Sequence, residues 1–263
     1  MTVAEALRLA EQQLAEAGVD TPRVDAEWIV AHVLGVSRSA VRADGTCPVP
    51  GKFHVLLERR RNREPLAYVL GEWAFRGLTL KTDARALIPR PETEIVAERC
   101  VSLLRGMEMP RVLDVGAGTG AIALAIAHEH PSARVTAVDT SPAAVALARE
   151  NAERLGLAVD IREGGIDEAA AGWDLVVSNP PYVAPGEWES LQPEIREWEP
   201  RGALVGEGLH EEIARRTNAK WLVLEVGDGQ ARTVAAALGS LGYGRITISR
   251  DLGGTERVVE GSR

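Results

Sequence analysis

Cysteines are scarce in this 263-residue chain, and long apolar runs and an excess of positive charge are missing; each lack removes a class of protein. Only Cys47 and Cys100 are present, outside any C-x-x-C pair, which excludes a disulfide-stapled scaffold; both are read as reduced, inert thiols. No window approaches the roughly 20 uncharged apolar residues of a membrane span. The opening MTVAEALRLAEQQLAEAG carries acids where a signal peptide has a basic region, so a cytoplasmic protein without a membrane partner is expected. A net charge of −8 and a pI near 5.3 disfavour broad phosphate neutralisation. No direct nucleic-acid binding is expected, and a protein or small molecule is the favoured partner. There is no internal repeat or low-complexity tract. With 45% apolar and 26% charged residues the composition is globular. Folding a chain of this mass buries roughly 73% of its surface, room enough for two domains.

Three regions are expected. In residues 1–63 apolar side chains recur at helical spacing: Val3, Leu7, Ala10, Leu14, then Ala26, Ile29, Val30, Val33, then Phe53, Leu56, Leu57. Thr2 with Glu5 forms a capping box, and Thr21 before Pro22 reads as N-cap plus first turn. The Arg59–Arg63 run is read as a solvated helix end. Residues 64–90 switch to aromatics, glycines and a Leu78/Leu80 alternation, a hairpin linker. In 91–263, after a helix from Pro91 to about Arg105, strands are expected at 111–115, 134–138, 158–161, 174–178, 221–226, 245–249 and 257–260. Helices are expected between the first five, and the last two should pair antiparallel. The fold class is therefore α/β: a doubly wound, seven-stranded, mostly parallel sheet preceded by a small all-α domain.

The segment Asp114-Val115-Gly116-Ala117-Gly118-Thr119-Gly120 follows a strand and opens the apolar helix AIALAIAHE. Its glycines allow a sharp turn and close approach of backbone to a nucleotide-like ligand. Gly116, Gly118 and Ala121 also satisfy the dinucleotide fingerprint, so the loop alone does not separate NAD from S-adenosylmethionine. Asp139, roughly 20 residues on, ends the second strand where a carboxylate can accept both ribose hydroxyls. Asp114 would repel a pyrophosphate but attract a cationic ammonium and sulfonium, which favours S-adenosylmethionine.

The fourth strand runs into Asn179-Pro180-Pro181-Tyr182. Two prolines fix φ and remove two donors, leaving carbonyls aimed from a rigid loop. An amide nitrogen is a poor nucleophile, so its enzyme must orient it. With Asn179 Oδ1 and the Pro180 carbonyl each accepting one N–H of a substrate –NH2, displacement needs positioning more than a base, and no His or Lys candidate stands nearby. Tyr182 would wall the planar group.

In this order, DVGAGTG, AVD and NPPY resemble the class I S-adenosylmethionine-dependent amino-methyltransferases. The stretches EPLAYVLGEWAFRGLTLKTDARALIPRPETE (64–94), EWEPRGALVGEGL (197–209) and DLGGTERVV (251–259) narrow the resemblance to the HemK/PrmC family. Its members are protein-(glutamine-N5) methyltransferases that modify the Gly-Gly-Gln glutamine of peptide chain release factors. The resemblance spans the whole chain. It implies S-adenosylmethionine as cofactor, held by Asp114, Gly116, Ala117, Gly118, Thr119, Gly120, Asp139, Thr140, Gly165, Ile166 and Asn179. It implies Asn179, Pro180, Pro181 and Tyr182 around the glutamine amide, with Asn179, Pro180 and Tyr182 catalytic. Release factors become the expected partner, recognised by the N-terminal residues, with IPRPETE near the active-site mouth and a monomer as the working state.

Two stretches depart from the family pattern. Gly165 and Ile166 stand where many members carry an acid for the adenine amino group and a bulky residue against the ring, with Asp167 a substitute by one register shift. Leu209–Lys220 is short and lacks the usual Pro-Gly-Gly turn. Three other readings stay open: an N-methyltransferase of the same fold acting on a small metabolite or a nucleobase exocyclic amine, a NAD-binding oxidoreductase, and a methyltransferase-like binding protein without activity. His128-Glu129-His130 has i, i+2 spacing that puts the imidazoles on different faces, so no metal is expected. Glu225 faces the pocket, sits on the surface or anchors a loop, and Trp188 and Trp198 are the tryptophans expected at the substrate mouth.

Overall fold

The computed structural model describes residues 1–263. Helix α1 (Val3–Glu16) opens on the expected box: Glu5 N–H donates to Thr2 Oγ1 at 3.3 Å and Thr2 N–H to Glu5 Oε2 at 2.8 Å. Its Val3, Leu7, Ala10 and Leu14 face inward. Helix α2 (Pro22–Leu34) begins where Thr21-Pro22 placed it, but the Thr21 hydroxyl donates to Asp25 and caps no amide. It stops at Gly35, whose φ of +66° suits a residue without Cβ. Helices α3 (Arg38–Ala43), α4 (Lys52–Arg61) and α5 (Leu66–Leu70) complete a helical layer around Leu14, Ile29 and Phe53.

Strands β1 (Glu72–Phe75) and β2 (Leu78–Lys81) form the expected hairpin, a separate two-stranded sheet. Next come α6 (Thr93–Leu104), β3 (Arg111–Val115), α7 (Ala121–Glu129), β4 (Arg134–Asp139), α8 (Pro142–Leu155), β5 (Asp160–Glu163), β6 (Trp173–Ser178) and the short α9 (Pro193–Trp198). The chain ends with α10 (Leu209–Arg216), β7 (Ala219–Glu225), α11 (Ala231–Ser240), β8 (Thr247–Arg250) and β9 (Glu256–Ser262). The sheet order is β5-β4-β3-β6-β7-β9-β8; the first five strands are parallel, and β9 runs antiparallel to both β7 and β8. Neighbouring residues of one strand serve opposite layers. Val112, Leu175, Val177 and Val223 pack with α6 and α7, whereas Leu113, Val176, Leu222 and Leu224 pack with α10 and α11. Covering both faces explains why the strands read as continuous apolar runs.

Two expectations about this half change. The third strand of the parallel set lies at 160–163, not 158–161, and only a 3-10 turn (Ile166–Ala170) joins β5 to β6, where a helix was expected. Glycines at 164, 165 and 172 leave too short a stretch for an α-helix of useful length. The short connection before β7 is a clean one: α10 closes through Thr217, whose hydroxyl donates to Ile213 O.

The chain divides into two compact units, 1–72 with 192–198, and 73–191 with 199–263. Helix α9, far along the chain, thus belongs to the helical unit, and it overturns the reading of Arg59–Arg63 as a solvated end. Arg60, 6% exposed, donates to Asp25 at 2.7 Å and to Glu194 of α9 at 2.9 Å. Arg63 donates to both oxygens of Glu194, and Arg59 to Glu64. Only Arg61 keeps the expected exposed character, paired with Glu58. At 100° per residue, successive arginines cannot all point to solvent.

Candidate active site

The turn from β3 into α7 is tied to the end of β4. Gly116 and Ala117 N–H both donate to Val138 O, at 2.9 and 3.0 Å, and Gly118 N–H donates to Asp139 Oδ2 at 2.9 Å. Ser141 N–H donates to the other Asp139 oxygen. Gly116 and Gly118 have φ of +78° and +57°, which favours glycine. Gly120 serves packing: a Cβ there would lie 3.0 Å from Leu124 Cδ1 and 3.3 Å from Ala148 Cβ, so its absence lets α7 approach α8. Asp114 lies beneath the loop, buried, with Oδ2 accepting Ala123 N–H at 3.1 Å and Oδ1 without a partner. Burial pushes its carboxyl up to about 7; the Ala123 amide opposes this and the charge of Asp139 adds to it.

The reactive motif is braced at both ends. Asn179 Nδ2 donates to Thr93 Oγ1, at the start of α6, at 3.3 Å. The Tyr182 hydroxyl donates to Glu225 Oε1 at the end of β7 at 3.3 Å, and Gln230 Nε2 donates to Tyr182 O at 3.0 Å. Gly206 is required by close approach, since a Cβ there would sit 2.8 Å from Pro181 O. Glu225 is therefore the loop anchor, one of its expected roles, and not a surface residue. Its Oε2 has no hydrogen-bond partner, and burial pushes the carboxyl up to about 7 against the Thr93 and Tyr182 hydroxyls and Arg257, which favour ionisation. Burial, with Glu225 beside it, raises the Tyr182 phenol well above its ordinary range.

A cavity of about 410 Å³ brings together Gly116, Gly118, Asp139, Thr140, Asn179 and Pro181. Ala117 and Thr119 border an adjoining recess with Gly116, Gly118 and Asn179, while Pro180 and Tyr182 border another with Asn179 and Pro181. Asn179 borders all three. Asp114, Gly120, Gly165 and Ile166 border none of them. Gly165 is extended, and a Cβ on it would reach Thr140 Cγ2 at 3.4 Å; Ile166 packs on the layer around Trp173. Asp167 is no substitute acid here: its side chain is 84% exposed and paired with Arg216. Trp188 and Trp198 also lie off the cavity walls, with Trp188 buried under the Arg201 guanidinium.

Sequence reasoning missed two walls. Arg85–Leu87 and the trio Pro200, Gly202 and Ala203 border the cavity, and Ile88 and Arg90, from the stretch expected near the mouth, extend the first wall along the recesses. Glu199, its side chain 1% exposed, accepts Ile88 N–H at 3.1 Å and Arg90 Nη2 at 2.5 Å. The available signal was the pair of stretches IPRPETE and EWEPRGAL, with two acids in the second and a lone base in the first that a sequence does not match to each other.

The loop's amides discriminate between cofactors. A pyrophosphate on a glycine turn needs free N–H groups, but those of Gly116, Ala117 and Gly118 are all committed to Val138 and Asp139. The Asp139 carboxylate on the cavity wall suits the ribose of either cofactor, and the orphaned Asp114 oxygen beneath the loop suits a cationic tail. The three committed amides and the Asp114 oxygen favour S-adenosylmethionine over a dinucleotide.

Comparison with known proteins agrees with this geometry. A model described as the PrmC N-terminal domain matches residues 5–71, and one described as the methyltransferase small domain matches residues 95–194. The chain is 38% identical to the release factor glutamine methyltransferase of Geobacter sulfurreducens, over 99% of this chain and 96% of that one. It is 39% identical to the protein of the same name from Deinococcus radiodurans, over 100% of this chain and 99% of that one. Among solved structures, the 16S rRNA N2 methyltransferase RsmC of T. thermophilus with AdoMet and guanosine is similar in fold, with a TM-score of 0.54 at 19% identity over 73% of this chain and 49% of that one.

Proposed function

The chain belongs to the release factor glutamine methyltransferase family, and from that premise we propose that it transfers a methyl group from S-adenosylmethionine to the side-chain amide nitrogen (N5) of the glutamine in the Gly-Gly-Gln motif of peptide chain release factors. The observation that carries the reading is the position of Asn179, common to the wall of the 410 Å³ cavity and to the recess with Pro180 and Tyr182.

S-adenosylmethionine, when bound, supplies a methyl group on a sulfonium, an electrophile that needs no metal or acid. The rest is positioning by this chain. Asp139 accepts the ribose hydroxyls while Gly118 and Ser141 amides hold its carboxylate in place. Asp114, with its unpartnered oxygen beneath the loop, contributes negative potential toward the cationic tail. With Asn179 Nδ2 donating to Thr93, its Oδ1 is left to act as the acceptor. Asn179 Oδ1 and the Pro180 carbonyl then take the two N–H groups of the glutamine amide and direct its lone pair at the methyl carbon. Tyr182, fixed by Glu225 and Gln230, walls the amide plane. The helical unit is assigned to recognition of the release factor, with the monomer as the working unit in the cytoplasm.

The test is transfer from methyl-labelled S-adenosylmethionine to a purified, unmethylated release factor and to the same factor with Gln→Ala in its Gly-Gly-Gln loop. Label on the intact loop and none on the Ala version is the expected result. Cofactor binding by calorimetry with no label on either would overturn the substrate.

A further inference from the structure

Glutamine and glutamate side chains have the same shape, so an enzyme that takes the amide and refuses the acid must do so through charge and hydrogen-bond direction. Each guanidinium that borders the cavity or its two recesses already has a carboxylate. Arg85, on the cavity wall, donates to Asp83 and Glu150. Arg257, close enough to act on Tyr182 and Glu225, donates to Asp251. Arg90 borders the recess with Asn179, Pro180 and Tyr182 and donates to Glu199 at 2.5 Å. On the acidic side, Glu225 lies under Tyr182 with one oxygen unpartnered, and Asp139 lines the cavity.

Of these pairs the one between Arg90 and Glu199 stands nearest the amide recess, and its acid is the most deeply buried. Glu199 is 1% exposed at the side chain and also holds Ile88 N–H, so it does not swing aside to release Arg90. A bare guanidinium at the Arg90 position would be a fork suited to a carboxylate. We propose that Glu199 is a specificity-determining residue: by occupying Arg90 it leaves the amide recess without a free cation, and so rejects a carboxylate in place of the substrate amide. This rests on the glutamine-amide reading above.

The probes are the release factor carrying Gln→Glu and the one carrying Gln→Ala in its Gly-Gly-Gln loop, titrated against the full chain with cofactor bound. The parent chain should bind the Glu version no more tightly than the Ala version. Glu199→Gln keeps an oxygen for Ile88 N–H but removes the charge opposite Arg90. It should bind the Glu version about tenfold more tightly than the Ala version, the size of one partly exposed ion pair with good geometry, and the gain should shrink as salt rises. Adding Arg90→Met to Glu199→Gln should abolish the gain. A parent chain that already prefers the Glu version would overturn the proposal without any variant. So would a Glu199→Gln protein with parental melting temperature and cofactor affinity but no preference, or a gain that survives Arg90→Met. If the parent chain fails to methylate the intact factor, the substrate reading itself falls and takes this proposal with it.

Discussion

In the helical unit the buried carboxylate of Glu27 accepts hydrogen bonds from Arg38, Arg42 and Arg23; in the sheet unit Asp114 and Glu225 each bury an oxygen that accepts none. The outcomes are opposite. Hydrogen bonds from Arg42, with burial opposing and Arg38 adding, hold Glu27 down at about 2, whereas burial drives Asp114 and Glu225 up to about 7. Asp25 and Glu194 are also paired, each bound to Arg60. Glu27, which only has to hold helices together, has its carboxylate fully paired; Asp114 and Glu225, beneath the glycine turn and the Asn179–Tyr182 motif, are each left with one oxygen unpaired.

The largest expected effect tests the second half of this contrast. Asn179→Ala removes the acceptor that orients the amide and should lower methyl transfer by about three orders of magnitude, the scale of lost positioning. Calorimetric affinity for S-adenosylmethionine should change only a few-fold. Asp139→Ala should show the converse, weakening cofactor binding by about 2 kcal/mol through the loss of charge-assisted hydrogen bonds. Equal loss of turnover in both variants, with unchanged cofactor affinity in Asp139→Ala, would contradict the division of labour.

The first half is tested by Arg60→Met. Truncating one partner of a buried ion pair leaves Asp25 uncompensated and should cost about 3 kcal/mol of stability in urea unfolding. Adding Asp25→Asn should recover much of the loss. If Arg60→Met melts like the parent chain, the pairs in the helical unit are not what holds α9 to it.

These networks are also where the sequence stops being legible. The Thr2/Glu5 box, the parallel strands, the glycine turn, Asp139 and the Asn179–Tyr182 motif all follow from local chemistry: a cap needs its own neighbours, and a tight turn needs its own glycines. Arg60 and Glu194 are 134 positions apart and Ile88 and Glu199 are 111 apart, so no local pattern links them. Glu225 was ambiguous for a different reason. At the end of a strand buried on both faces, alternation does not say which layer the last side chain joins; only the packing of Tyr182 against it decides.

The smallest expected effect turns the contrast into a pH profile. Glu27 has its folded value depressed from 4.5 to about 2, so the stability it contributes is present above 4.5 and is lost as pH falls toward 2. Asp114 and Glu225 have folded values raised from 3.8 and 4.5 to about 7. Their contribution is greatest below the ordinary values and is lost as pH rises from about 4 to 7. Stability should therefore rise from pH 2 to about 4.5 through the helical unit and sag toward neutrality through the sheet unit. Glu225→Gln keeps an oxygen for the Tyr182 hydroxyl and removes the ionisation. Urea unfolding of this variant should match the parent near pH 4 and exceed it at pH 8 by about 1–3 kcal/mol, given one partly compensated buried acid. A variant that tracks the parent at both pH values would mean that Glu225 ionises in the folded chain without penalty, and the difference drawn between the two kinds of buried carboxylate would then rest on Asp114 alone.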